Sequence, residues 1–327
     1  MSIRTDTSPV TILSLDFVQA YVITMRPYLM FVSGITGLAG MAFLPSISAQ
    51  GFILRFAASF LSYGFGQALT DCFQVDTDTL SSPYRPLTQG IISRVQTFLV
   101  SAVGLAFCIG VFTSGNSLNL LLGAAAGSGL ATYTFFKRRW WGGPWYNAWI
   151  VVVLCSMAFL SGGRSFAELF TTPIAWTLGA VFFGYANFVL SGYFKDIEAD
   201  RATNYRTLPV VAGRRISAYV SDLFAFLSIT CAMSALSERV TSSLVADLAS
   251  MVFLVSAIGV SMAAQLQLHQ VTSDSDAHRA ISPVVHSYIL LLSSIISLRK
   301  PEWIGFLLLF YCAFSVVMKV RPAKNQI

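Results

Sequence analysis

Carboxylates are scarce in this 327-residue chain, fifteen in all, yet six of them fall into two short stretches. The first reads Gln67-Ala-Leu-Thr-Asp71-Cys-Phe-Gln-Val-Asp76-Thr-Asp78, with Arg85 following between Tyr84 and Pro86. The second reads Lys195-Asp196-Ile-Glu198-Ala-Asp200-Arg201, with Arg206 and Leu208-Pro209 following. Asp196 and Asp200 are four apart, so a helix continuing through them puts both on one face, where they can hold a divalent cation. Steps of four, three and four place Gln67, Asp71, Gln74 and Asp78 on one stripe as well. Acids gathered in this way repel one another unless cations lie between them. Mg²⁺ takes one or two carboxylates and completes its shell with phosphate oxygens. The pattern therefore suits a diphosphate ester, with metal and guanidinium groups stabilising the charge on the leaving group. Such crowded acids gain nothing before metal binds, so neutralising them should leave the metal-free fold intact.

The elements that carry these acids are apolar. Of the residues, 55% are hydrophobic and 11% charged, and the mean hydropathy is +0.67, which defines a polytopic membrane protein. Runs of roughly 17 to 25 apolar residues, each able to cross a hydrocarbon core about 30 Å thick, recur along the chain. Spanning helices are expected near 18–45, 51–73, 94–114, 117–136, 146–162, 171–194, 215–236 and 243–268. The segments 284–298 and 302–319 bring the total to nine or ten, according to whether the short 284–298 crosses. The expected fold is thus an all-α bundle in a single domain, 1–327, with no separate soluble domain and no removable signal peptide.

Arg85, Arg94, Lys137, Arg138, Arg139, Lys195, Arg201, Arg206, Arg214 and Arg215 fall in alternate loops, and the opposite loops hold Arg164 and Arg239. Basic short loops favour the cytoplasm, so the N-terminus, which carries Arg4 and Asp6, and both acid stretches are expected on the cytoplasmic side of the plasma membrane. Lys319, Arg321 and Lys324 would join them only with ten crossings. Acids followed by an arginine at two helix ends suggest a degenerate repeat of two halves, about 18–136 and 146–319. The five cysteines and His269, His278 and His286 show no metal or redox spacing, and the histidines are expected in or beside loops.

With these residues in view, the chain resembles the UbiA superfamily of intramembrane prenyltransferases. The resemblance rests on the two aspartate motifs at the ends of the second and sixth helices, Tyr84-Arg85-Pro86-Leu87, Lys195-Asp196-Ile-Glu-Ala-Asp200, and Thr207-Leu-Pro. Tyr133 with Lys137-Arg138 is similar to the family's basic element, and Arg26-Pro27 to its entry into the first helix. It implies metal ligation by Asp71, Asp78, Asp196 and Asp200, with Asp76 standing in for a missing ligand. Arg85, Lys137, Arg138, Lys195 and Arg206 would meet the diphosphate, and Gln67, Tyr133, Tyr185, Asn187 and Tyr193 would border the cavity. The first motif departs from the family pattern, with Gln67 where Asn is usual and about three extra residues before the proline. The implied activity is Mg²⁺-dependent transfer from a prenyl diphosphate to a lipophilic, in the first instance aromatic, acceptor. Cyclisation of farnesyl or geranylgeranyl diphosphate is the alternative. The implied partners are these substrates and the lipid bilayer, with no nucleic acid. Ser-Pro-Tyr-Arg-Pro is similar to chlorophyll synthases and Lys-Asp-Ile-Glu-Ala-Asp to quinone, lipid and carotenoid branches, so the acceptor stays open.

Two blander readings compete. Acids and bases at helix ends commonly solvate a loop, which applies best to Asp76, Glu198 or Arg201 taken singly. Ionisable groups beside membrane helices also mark transporters, but these acids sit at helix ends rather than in broken helices at mid-membrane. Gly123-Ala-Ala-Ala-Gly127 reads as a close helix approach, and Trp140, Trp141, Trp145 and Tyr146 as an interfacial belt.

Overall fold

The structure, a computed structural model, describes residues 9–12, 14–238 and 243–320; Arg4, Asp6, Arg239, Arg321 and Lys324 lie outside them. Helix α1 (Leu15–Met25) starts at Ser14, whose hydroxyl accepts from the Phe17 amide at 3.1 Å. The single helix expected over 18–45 is broken. Pro27 lacks an N–H and disfavours helical geometry in the residue before it, and Arg26 adopts a left-handed φ of 53°. The next helix, α2 (Met30–Met41), leaves at 42° to α1.

The chain continues as α3 (Ala49–Asp71), α4 (Val75–Ser81), α5 (Arg94–Thr113), α6 (Leu118–Lys137), α7 (Gly143–Leu160), α8 (Thr172–Tyr193) and α9 (Ile197–Ala202). It ends with α10 (Leu208–Ser237), α11 (Leu244–His269), α12 (Ala277–Arg299) and α13 (Ile304–Val320). Among the described residues seven helices are long and apolar enough to cross a membrane, or eight if the bent α1–α2 pair is one span. With 23 and 20 residues, α3 and α6 are as long but hold no stretch apolar enough to join that count; they turn Gln67, Thr70, Asp71 and Lys137 inward. The apolar stretch 284–298 proves to be the buried heart of a 23-residue helix whose start was hidden by Pro283 and its polar neighbours. The chain is an integral, multi-pass membrane protein.

At the centre lie α2, every residue of which is buried, and α12, joined by a 2.7 Å hydrogen bond between Thr36 and Tyr288. A Cβ at Gly40 would come within 2.2 Å of the Cys155 carbonyl oxygen, so glycine is what lets α2 press against α7. Large apolar side chains such as Val95, Leu99, Val103 and Phe107 point outward from α5 instead, as lipid rather than water would permit.

The helix ends sort into two faces. Lys300 lies 3.2 Å from the Pro45 carbonyl and Arg299 reaches the Ala235 carbonyl, so α12 ends beside the α2–α3 turn and the C-terminus of α10. The loop before α12 meets α9 through Asp274, on the face that carries both acid stretches, and α13 runs back toward that face.

The two acid stretches are built alike, though neither is the continuous helix expected. Helix α3 stops at Asp71 and α4 restarts after Gln74; α8 stops at Tyr193 and α9 restarts after Asp196. One offset of 122 residues relates Asp71 to Tyr193, Gln74 to Asp196 and Asp78 to Asp200. Gln74 and Asp196 share the same backbone geometry, φ −121° and ψ 16° against φ −115° and ψ 10°. The two short helices meet through a 3.0 Å hydrogen bond between Thr77 and Thr203.

Candidate active site

Between the helices lies a cavity of about 210 Å³ with one charged end and one apolar end. The broken ends of α3 and α8 deliver Asp71, Gln74, Asp78, Lys195 and Asp196 to the charged end, Arg26 arrives from the α1–α2 bend and Arg85 from the loop after α4. The apolar end runs down α5, α6 and α7 to buried Phe112 and Met157. On α7 alone the lining extends from Asn147 to Met157, about 15 Å at 1.5 Å per residue.

Two of the acids at the mouth, Asp71 and Asp78, already have a cation. Asp71, 3% exposed, receives Arg26 Nη2 at 2.9 and 3.0 Å and Gln67 Nε2 at 2.6 Å. Asp78 pairs with Arg85 Nη1 at 2.6 Å. The crowded, unpaired acids expected from the sequence are therefore corrected to buried ion pairs. Lys137 bridges the two motifs, donating to Gln74 Oε1 at 2.9 Å while lying 3.9 Å from Asp200 Oδ1. Asp200 is fully buried behind the cavity wall. Its Oδ2 accepts from Thr207 at 3.2 Å, and its Oδ1 has no hydrogen-bond partner. Burial pushes the Asp200 carboxyl up to about 7 against the opposing pull of Lys137. Burial also lowers the Lys195 ammonium, to about 8, while Asp196 acts to raise it.

Of the residues named from the sequence, Gln67, Asp71, Asp78, Arg85, Tyr133, Lys137, Tyr185, Tyr193, Lys195 and Asp196 border this cavity. Asp76, Arg138, Asn187, Asp200 and Arg206 are not in its lining. Asp76 stands two residues before Asp78, which on a helix is nearly the opposite face; it faces outward, 2.8 Å from Arg138 and 3.1 Å from the Tyr205 hydroxyl. Arg206 is exposed on the rim, its amide donating to the Arg138 carbonyl at 3.0 Å. Asn187 instead accepts from Ser221 between α8 and α10. His286, expected near a loop, sits inside α12, 3.0 Å from the Tyr311 hydroxyl. Gly123 does face α5, where a Cβ would meet Ile109, while Gly127 borders the cavity.

Arg26, Tyr63 and Asn147 also line the cavity and were not singled out for the site. Arg26 had a signal, since a charge inside an apolar span is costly unless it has a functional partner. Tyr63 and Asn147 had none, lying among other polar and aromatic residues. Around the charged end, the Tyr133 and Tyr193 hydroxyls are 2.8 Å apart and Lys137 Nζ lies 5.6 Å from the Tyr193 ring centre. Both tyrosines can face a carbocation formed next to the charged groups.

Among the described residues no three acids, cysteines or histidines gather in a ready-made metal cage. The donor set nevertheless suits Mg²⁺, which needs only one or two protein carboxylates when phosphate oxygens complete its shell. The carboxylates of Asp71, Asp78 and Asp196, which line the charged end of the cavity, supply such donors.

The model of the UbiA prenyltransferase family matches residues 30–295. This chain belongs to that family. As a UbiA member it is a prenyltransferase. It is 29% identical over 217 residues to digeranylgeranylglyceryl phosphate synthase of Thermococcus kodakarensis, covering 64% of this chain and 75% of that one. It is 25% identical over 169 residues to the chloroplastic chlorophyll synthase of Arabidopsis thaliana, covering 48% and 42%. Its fold resembles a UbiA homologue from Archaeoglobus fulgidus bound to DMAPP and Mg²⁺, with a TM-score of 0.65 at 17% identity over 92% of this chain and 99% of that one. A UbiA homologue from Aeropyrum pernix K1 superposes with a TM-score of 0.68 at 16% identity, over 82% and 96%.

Proposed function

We propose that this UbiA member transfers an isoprenyl group from a prenyl diphosphate to a lipophilic acceptor inside the membrane, with Mg²⁺ as cofactor. The observation that carries the proposal is the cavity itself, charged at one end and apolar along the rest, which matches a diphosphate head and a prenyl tail. Asp71, Asp78 and Asp196 would hold Mg²⁺, with Asp200 behind them; the metal, when bound, supplies positive charge for the departing diphosphate. Gln67 fixes the orientation of Asp71. Arg26, Arg85, Lys137 and Lys195 bind diphosphate oxygens, with Arg138 and Arg206 at the rim attracting the anion. The allylic carbon–oxygen bond breaks with its electron pair leaving on the diphosphate, and the acceptor forms the new bond and loses a proton. Tyr133, Tyr185 and Tyr193 shield the allylic cation, and the apolar shaft keeps water from it.

The acceptor class narrows to lipophilic molecules with a nucleophilic hydroxyl or ring carbon. Relatives named for digeranylgeranylglyceryl phosphate favour testing a glyceryl lipid beside aromatic acceptors. Transfer is preferred over cyclisation because the shaft beyond the tyrosines is lined mainly by aliphatic residues such as Leu105, Ile109, Leu130 and Leu154. They suit an extended chain better than a succession of cations. The chain is read as ten crossings in two related halves, about 18–136 and 146–319, with both termini and the cavity mouth on the cytoplasmic face. The concentration of Arg and Lys on that face supports the orientation.

The deciding experiment incubates purified protein and Mg²⁺ with geranylgeranyl or farnesyl diphosphate, with and without acceptors. Little diphosphate should appear until an acceptor is added. A cyclic hydrocarbon formed without acceptor would replace transfer by cyclisation.

A further inference from the structure

Helix α9 is only six residues long, too short to hold its shape on its own hydrogen bonds, yet it carries Asp200 and begins at Asp196. An aspartate at the start of a helix ordinarily turns its carboxylate back to accept from the first amides. Asp196 does not; it makes no capping hydrogen bond and borders the cavity instead. The Glu198 amide is taken by a different acid, Asp274 Oδ2, at 2.8 Å, from the loop between α11 and α12, 76 residues away. The other oxygen, Oδ1, accepts from Arg214 Nη2 at 2.5 Å. Arg214 directly follows Gly213, whose φ of 80° and ψ of 166° kink α10 at its start. One carboxylate thus ties the second acid motif to α10 and to the α11–α12 loop.

We infer that Asp274 is a positioning residue for the metal-binding motif. It caps α9 from outside, so that the Asp196 carboxylate stays turned to the cavity. The metal part of this inference rests on the function proposed above, whereas the capping part does not.

The test uses full-length protein in detergent, comparing Asp274→Ala, Asp274→Asn and Asp276→Ala. Asp276 is the control, since its carboxylate bonds Thr272 and Ser273 of its own loop. Without metal, amide hydrogen exchange over 197–202 should speed up about tenfold in Asp274→Ala, stay closer to the parent in Asp274→Asn, whose side-chain oxygen can still accept, and be unchanged in Asp276→Ala. The Mg²⁺ concentration giving half-maximal diphosphate release should rise by ~10-fold in Asp274→Ala with little change in kcat, in line with the loss of groups that orient metal ligands. Asp274→Asn should recover part of it, because its one side-chain oxygen can accept from Glu198 or from Arg214 but not from both. Parent-like exchange in Asp274→Ala would overturn the capping role. Faster exchange with an unchanged Mg²⁺ requirement would overturn the positioning role and leave Asp274 a stabilising contact. If the parent protein shows no Mg²⁺-dependent release, the proposed function falls while the exchange measurement still decides the capping.

Discussion

Asp71 and Asp200 show how differently two acids of one site can be held. Asp71 lies against Arg26 and Gln67, and Asp78 against Arg85, so neutralising either leaves a buried guanidinium without its partner. Asp200 has an oxygen without a hydrogen bond, 3.9 Å from Lys137, and burial already favours its protonated form. Changing each of Asp71, Asp78, Asp196 and Asp200 to Asn should reduce Mg²⁺-dependent diphosphate release by ~10²-fold or more. Stability should separate them. Asp71→Asn and Asp78→Asn should lower the melting temperature of the metal-free protein, while Asp200→Asn should change it less, because its ion pair with Lys137 is longer and Lys137 keeps its hydrogen bond to Gln74. Near-parental turnover in both Asp196→Asn and Asp200→Asn would end the metal assignment. The sequence marked Asp196 and Asp200 by their spacing of four, Asp78 and Asp200 by the arginine and proline that follow each, and all four together through the family resemblance. It did not disclose their counter-ions, since Arg26 lies 45 residues before Asp71 and meets it only through the bend between α1 and α2.

Elements were legible wherever apolar length alone decided them, as for α5, α7 and α8, whose ends lie close to those expected. The breaks were not. No glycine or proline separates α3 from α4 or α8 from α9, so the acid stretches read as continuous helices, and only the backbone geometry at Gln74 and Asp196 reveals the restart. The break at Arg26-Pro27 had its proline in plain view but fell within a run apolar enough to pass for one span. Gly213 is a different case, because its backbone conformation is open to glycine and almost no other residue. Gly213→Ala should cost about 1–3 kcal/mol of stability and, by misplacing Arg214, should loosen α9 as well. Thermal unfolding of the purified variant gives the first quantity. An unchanged melting temperature would show that the kink relaxes without strain.

For the molecule as a whole, the acid-bearing face and its opposite are chemically distinct, and that was readable from loop charge before any helix was placed. Single cysteines at Thr79 and Asn204, in a background lacking the five natural cysteines, should react with an impermeant thiol reagent only from the cytoplasm. One at Ser165, on the opposite face, should react only from outside. Reversed labelling would invert the proposed orientation without disturbing the site. The cavity carries a kinetic consequence of its own. Its shaft ends at Phe112 and Met157, both almost completely buried, so a prenyl chain that enters tail-first meets a floor there. Once the diphosphate is gone, the product retains the tail's full grip on the shaft and adds the acceptor's bulk at the mouth. Exit rather than bond formation should then set the pace, as it does in many enzymes. Rapid mixing should show a burst of diphosphate equal to the enzyme present, followed by a slower steady rate that quickens in more fluid lipid.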